Sequence, residues 1–379
     1  MSDVLRGSLR GFGTSIFSTV TEQAIAAGAI NLSQGFPDFE PPERLVEAAV
    51  EAVAGGLHQY APSIGDPVLR QAVAEHQQAR YGLAADPDTE VTVTAGASEA
   101  ITATLLALLE PGDEVVLVEP YYDLYPYAVV AAGGVPRYLT TSFPDFRLDL
   151  DRLAALVTDR TRVILVNTPT NPTGRLLGPE ETRALGELAE RHHAYILSDE
   201  VYEHIVFDGR RHRPVAADPA CRDRTITVSS VSKTFSATGW RIGWAVAPPA
   251  LSAAVRSMHQ FVTFTASTPL QRASAVMLES AATGDYYDQL VADYTERRDL
   301  LLKDLRRTEL EVASPDGTYF AMTRCAGDDM AYVRDLIARR RVAAIPASAF
   351  FSDPARGRGL VRFAFCKRLE TLRAAGERL

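Results

Sequence analysis

Three cysteines in 379 residues, Cys221, Cys325 and Cys366, are too few and too far apart for a disulfide framework or a thiolate zinc site. They fit a reducing, cytoplasmic setting. Long apolar runs are missing too: the stretch 163–167 is strand-sized, far short of the ~20 residues a membrane span needs. The first eleven residues lack the apolar stretch of a signal peptide. No block of one charge sign stands out, and 39 Lys and Arg against 48 Asp and Glu leave a net charge of −9. Nucleic acid and anionic membranes are therefore not expected as partners. No repeat or low-complexity tract appears. Also absent are G-x-G-x-x-G after the first strand, G-x-x-x-x-G-K-[ST], H-E-x-x-H and C-x-x-C, so a nicotinamide dehydrogenase, a P-loop enzyme and a zinc hydrolase lose their usual marks. The seven histidines show no ligand spacing, and no metal is expected. His192-His193 reads as a solvated helix end.

What is present is ordinary globular material, with 46% hydrophobic and 23% charged residues, enough for a sizeable core. Short β-rich runs at 90–94, 114–119, 162–167, 194–200, 225–230 and 242–247, and another led in by Gly133-Gly134, alternate with helical patterns such as 97–110. Near-continuous apolar strands separated by helices predict an α/β fold with a mostly parallel sheet covered on both faces. Beyond residue 275 the pattern changes to long charged helices, notably 286–305, with β-like runs at 317–322 and 360–365. The expected organisation is an arm and part of a small domain over 1–45, a large domain over 46–280 and the rest of the small domain over 281–379.

Parallel sheets bind ligands at the carboxyl ends of their strands, so the polar residues there are the ones to weigh. Lys233 follows the 225–230 strand among Ser229, Ser230, Ser232 and Thr234, with Arg241 behind it. Taken alone the stretch reads equally as a surface loop or as an amine beside an anion site. A lysine next to cationic groups has its pKa lowered and attacks carbonyls. Thr94–Glu99 joins a strand to a helix start, where small residues let N–H groups meet a phosphate; an ordinary Ser cap is the plainer reading of that loop by itself. Asp199 ends a buried strand and must be paired, for which a heteroaromatic N–H⁺ is suitable. Asn171 stands between two X-Pro turns at the sheet's rim, and Tyr121-Tyr122 can stack on a flat ring. Phosphate loop, aromatic, asparagine, acid and lysine together are what pyridoxal phosphate requires.

At this point the sequence resembles class I/II aminotransferases of fold type I, within them the kynurenine/glutamine and methionine transaminase branch. The carrying segments include NLSQGFPDFEPP (31–42), HQYAPSIGDPVLRQAVA (58–74), EVTVTAGASEAI (90–101), NTPTNPTG (167–174), SDEVYEHIVFDG (198–209), SSVSKTFSATGWRIGW (229–244) and VRFAFCKR (361–368), in the family's order and over nearly the whole chain. The resemblance implies that Lys233 holds the cofactor aldehyde and carries the proton. Asp199 would pair with the pyridine nitrogen, Asn171 and Tyr202 with the 3′-oxygen, and Tyr122 would stack on the ring. Ala97, Ser98, Ser230 and Arg241 would hold the phosphate, joined by Tyr60 from a second subunit of a homodimer. Arg362 would grip the α-carboxylate with help from the Gly35 backbone and Asn171, and Phe17 would line the side-chain pocket.

Ser232 stands where close relatives often have Gly, and Thr265 falls where some kynurenine-type members have a histidine, which weakens a claim to kynurenine. The cofactor motifs imply an amino acid and a 2-oxo acid as substrates. They do not separate transamination from a β-eliminating C–S lyase or a cyclase or oxidase on the same scaffold. An effector-binding module of a transcription regulator would need a helix-turn-helix domain, and about 30 residues precede NLSQGF. No arginine follows as a dedicated partner for a second substrate carboxylate, Arg356 and Arg358 being the two that could swing in, so neutral donors with long or aromatic side chains are expected.

Overall fold

The computed structural model describes residue 4, residues 6–13 and residues 15–379. After helix Ile16–Ala27 comes a short strand, β1 (Ile30–Asn31). Seven strands then build the large sheet: β2 (Val91–Thr94), β3 (Glu114–Glu119), β4 (Val135–Thr140), β5 (Thr161–Asn167), β6 (Tyr195–Asp199), β7 (Thr225–Ser230) and β8 (Gly243–Val246). Their order is β2-β8-β7-β6-β5-β3-β4, and only β8 runs against its neighbours. The expected mostly parallel α/β sheet is the one observed. It forms because the strands are almost wholly apolar: Val163, Ile164, Leu165 and Val166 of β5, for instance, are buried on both faces.

Six strands therefore end at one rim, delivering Thr94, Glu119, Thr140, Asn167, Asp199 and Ser230 to the same side. The register aligns Asn167 with Asp199, and the Asn167 amide donates to the Asp199 carbonyl at 2.7 Å. The expected helix 97–110 ends at Leu108, where Leu109 turns extended ahead of Pro111-Gly112.

The second layer comes from both ends of the chain. The predicted helix 286–305 is present as Tyr286–Leu305 and buries Leu290, Tyr294, Leu301, Leu302 and Leu305. Each such side chain contributes about 1.5–3 kcal/mol of transfer free energy, and Leu301→Ala would cost about 2–5 kcal/mol. β9 (Glu311–Val312), β10 (Phe320–Arg324), β12 (Ile345–Pro346) and β13 (Leu360–Ala364) form an antiparallel sheet, while β1 pairs with β11 (Val342–Ala343). One aromatic-rich core joins this layer to the Tyr202–Phe207 segment, through Tyr294, Tyr319, Phe320 and Phe363. No helix among the described residues is long and apolar enough to cross a membrane.

Candidate active site

A cavity of about 370 Å³ opens at the rim of the large sheet and is closed on its other side by β10, β13 and residues 34–36. Twelve of the thirteen residues singled out from the sequence line it: Phe17, Gly35, Ala97, Ser98, Tyr122, Asn171, Asp199, Tyr202, Ser230, Lys233, Arg241 and Arg362. Tyr60 does not. It is 81% exposed, edge-on to Phe264 with ring centres 5.3 Å apart, and the chain by itself does not bring it to the cavity.

Lys233 sits in the one-turn helix Val231–Thr234 that leaves β7, so its amine projects from the strand end into the cavity. Its Nζ makes no hydrogen bond or ion pair among the described residues and lies 5.7 Å from the ring centres of both Tyr202 and Tyr319. Burial lowers its pKa to about 8. The Arg241 and Arg362 charges push the same way, against Cys366 and Asp199. The amine is thus partly uncharged near neutrality, the form that attacks a carbonyl. The chain has only two other lysines: Lys303, exposed on helix Tyr286–Leu305, and Lys367, buried.

Asp199 closes β6 and is raised to about 6 by burial, which the Tyr125 hydroxyl, the Val201 amide and Lys233 oppose. Tyr125 donates to its Oδ2 at 2.7 Å. Sequence reasoning expected a ligand as this acid's partner and did not single out Tyr125. The signal was the spacing: Tyr125 lies three residues after Tyr122, at the start of helix Leu124–Ala131, and packs edge-on against it at 5.7 Å.

The anion end is built by Gly96, whose φ of +81° turns the chain into helix Ala97–Leu108. Glu99 fixes this turn by accepting from the Ala95 amide at 2.5 Å and holding His259 Nδ1 at 2.5 Å. A Cβ on Gly96 would stand 2.6 Å from Arg241 Nη2 and push the guanidinium aside, and the positive φ by itself favours glycine. Arg241 itself donates to the Thr238 carbonyl at 3.1 Å and to Ser98 Oγ at 3.4 Å. The helix N-terminus, Ser98, Ser230 and Arg241 thus offer N–H, O–H and guanidinium donors from several directions, the donor set a phosphate takes.

Arg362 of β13 donates to Asn171 Oδ1 at 2.9 Å and to the Ser33 carbonyl at 2.8 Å. Its carbon lies over Phe320, Phe17 and Phe350, at 4.0, 5.0 and 5.1 Å from their ring centres. Its Nε–H is buried with no partner. A buried guanidinium with one free N–H calls for an anion. Gly35 beside it packs against Phe320 so closely that a Cβ would come within 2.5 Å of that ring. Its carbonyl accepts from Tyr319 at 2.5 Å. Arg356 turns away, its Nη1 donating to Thr140 Oγ1 at 2.7 Å, and Arg358 Nε lies 3.8 Å from Asp328. Neither lines the cavity.

Metal-ligand types meet elsewhere: His76, Glu203 and His204 cluster behind the Lys233 turn. The two histidine Nε2 atoms are 2.9 Å apart, a hydrogen-bond spacing. Glu203 has both oxygens engaged, by Tyr81 at 2.6 Å and by Ser229. This is a hydrogen-bonded polar core, with His204 Nδ1 reaching Thr234 Oγ1 at 3.0 Å. At the other histidine pair, His192 caps its helix and meets Asp159 at 2.8 Å, so it is less solvated than its position suggested.

Residues 27–379 match the family model described as aminotransferase class I and II. A methionine aminotransferase of Escherichia coli is 41% identical over 378 residues, covering 99% of this chain and 97% of that protein. The kynurenine–oxoglutarate transaminase of Dictyostelium discoideum is 35% identical over 408 residues, at 97% and 94% coverage. Among solved structures, the N-succinyldiaminopimelate aminotransferase of Mycobacterium tuberculosis superposes with a TM-score of 0.95 at 40% identity, covering 99% of both chains. Agreement of sequence and fold along the whole length leaves one assignment: this chain belongs to the class I and II aminotransferases, pyridoxal-phosphate-dependent enzymes of fold type I that move an amino group between an amino acid and a 2-oxo acid.

Proposed function

We propose that the amino donor is a neutral L-amino acid with a long or aromatic side chain, and that Arg362 receives its α-carboxylate. The single observation that carries this is Arg362 itself: a buried cation caged by three phenyl rings, with its Nε–H free, while the other arginine lining the cavity, Arg241, stands at the anion end beside Ser98. A distal carboxylate would lose its water without gaining a cationic partner. Among the relatives, those named methionine and kynurenine aminotransferases are in keeping with such donors, while others are named for N-succinyldiaminopimelate and aspartate.

Pyridoxal phosphate, when bound, supplies an aldehyde that takes up the amino group and a ring that accepts the electrons of a broken Cα–H bond. The residues fit it. In this reading Asp199, held ionised by Tyr125, pairs with the pyridine nitrogen, and Asn171 and Tyr202 hold the 3′-oxygen. Tyr122 covers the ring, while Ala97, Ser98, Ser230 and Arg241 hold the phosphate. Lys233 binds the aldehyde and moves the proton at the substrate Cα, its lowered basicity suiting it to both tasks. Gly35 and Arg362 orient the carboxylate, and Phe17 borders the side chain. Tyr60, exposed and aromatic, is assigned to the phosphate site of a second subunit, which makes the active unit a homodimer of cytoplasmic chains. The division at about residues 45 and 280 separates the cofactor-binding part from the part that carries Arg362.

The test is a donor panel at one fixed 2-oxo acid, compared by kcat/KM. Methionine, glutamine, phenylalanine or kynurenine should lead. Aspartate ahead by about tenfold would overturn the neutral pocket, and loss of that lead in Arg356→Ala or Arg358→Ala would identify the arginine responsible.

A further inference from the structure

Lys367 is a buried cation that the reaction as outlined does not use. It is 3% exposed, and among the described residues the one hydrogen bond of its side chain runs from Nζ to the Phe36 carbonyl at 2.7 Å. The same Nζ lies 4.6 Å from the centre of the Phe36 ring. A buried ammonium without a carboxylate is costly, and an aromatic face with a carbonyl offsets only part of that cost. Phe36 in turn is 44% exposed and lines the cavity that holds Lys233 and Arg362.

The segment carrying Phe36 is strapped to the second layer. Leu32, Ser33, Gly35 and Phe36 give their carbonyls to the Ala364 amide, Arg362, Tyr319 and Lys367, at 2.8, 2.8, 2.5 and 2.7 Å. Gln34 is tied to Thr21. With its backbone fixed at successive points and a cation under its ring, Phe36 is a rigid wall at the open end of the cavity.

We propose that Phe36, held by Lys367, is a specificity-determining wall of the donor pocket, and that the Lys367 charge makes this pocket reject basic side chains. The inference rests on the aminotransferase reading above and deepens it. A thioether or aryl group gains dispersion and ring contacts from Phe36. A second ammonium brought to the same wall meets like-charge repulsion from the buried Lys367. A distal carboxylate is attracted by the same charge, but it meets that charge across the Phe36 ring and, unlike a thioether or aryl group, gives up its water to do so. The order of donors is therefore neutral and long first, acidic next and basic last.

The experiment measures kcat/KM for methionine, phenylalanine, alanine and ornithine in the cofactor-loaded wild-type protein and in Phe36→Ala, Phe36→Leu and Lys367→Met. Phe36→Ala should lower methionine and phenylalanine by about tenfold or more, chiefly through KM, and leave alanine within about threefold. Its cofactor absorbance should not change. Phe36→Leu should restore methionine further than phenylalanine. Lys367→Met should narrow the methionine-to-ornithine gap by about tenfold. Equal losses on all donors in Phe36→Ala, or ornithine matching methionine in the wild type, would overturn the proposal, as would an unchanged gap in Lys367→Met. Should Lys367→Met not fold, the Phe36 pair and the wild-type ornithine value decide. Turnover of no donor at all by the wild type would instead sink the aminotransferase reading.

Discussion

The two walls of the cavity differ in how far the chain completes its own polar contacts. On the sheet side, Asp199 already has Tyr125 and the Val201 amide, and Arg241 already holds Ser98 and the Thr238 carbonyl. On the facing side, Arg362 keeps a free N–H, and Phe36 stands half exposed on a strap pinned through its carbonyls. A pre-paired wall suits a group that stays through many turnovers. A wall with an unmet donor suits ligands that must come and go, because each leaving acid frees a site the next one needs.

The sharpest way to break this contrast is to remove the lysine. Lys233→Ala should abolish turnover, since one amine both binds the aldehyde and moves the proton. Borohydride reduction of the loaded wild type should put the label on the Lys233 peptide, and label on another lysine would refute the assignment. Asp199→Asn comes next. It preserves a hydrogen-bonding group without the charge, and turnover should fall by about a thousandfold or more while cofactor still binds. Near-normal turnover there would show that the pyridine nitrogen is not paired with this acid.

On the facing wall, Arg362→Ala or Arg362→Lys should weaken all donors together, by about 2–5 kcal/mol in kcat/KM. Unequal losses across the panel would mean that the carboxylate is held elsewhere. Tyr125→Phe should do less, about tenfold in rate, because one hydrogen bond to a charged group is lost. It should also move the acid limb of the pH profile upward, since the hydroxyl holds the Asp199 pKa down. A purely structural role would lower thermal stability and leave that limb in place.

The mildest effect is on pH. Asp199, raised to about 6, is ionised only above that value, and Lys233, lowered to about 8, is uncharged only above that one. Cofactor capture by the apoprotein, followed by absorbance, should therefore quicken as pH rises through both values. A rate flat from pH 5 to 9, a range spanning both by about a unit, would contradict the titrations.

What could be read in the sequence is what local chain chemistry encodes. Gly96 before Ala97-Ser98, Lys233 after a β-rich run and Asp199 at the end of another each announce a strand end by themselves. The fold then brings them together because parallel strands share a rim. Contacts between distant segments were not readable in the same way. Tyr125 on Asp199 spans 74 positions and Lys367 on Phe36 spans 331, and neither residue type carries a spacing that names its partner. Tyr60 falls outside both groups: within its own chain it meets Phe264, and the site to which it is assigned belongs to another copy.

The shortage of lysine has a chemical consequence. Of 39 basic residues three are lysines, and of the three side-chain amines Lys303 alone lies exposed. Aldehydes condense with accessible primary amines and leave guanidinium groups largely alone. Arginine therefore carries nearly all of the positive charge on the surface without offering a nucleophile. An aldehyde cofactor arriving from solution meets almost no competing side-chain amine on its way to Lys233, so selectivity of loading is set partly by what the exterior omits. Replacing exposed arginines with lysine would keep the net charge, yet it would multiply the addresses at which the cofactor can be lost.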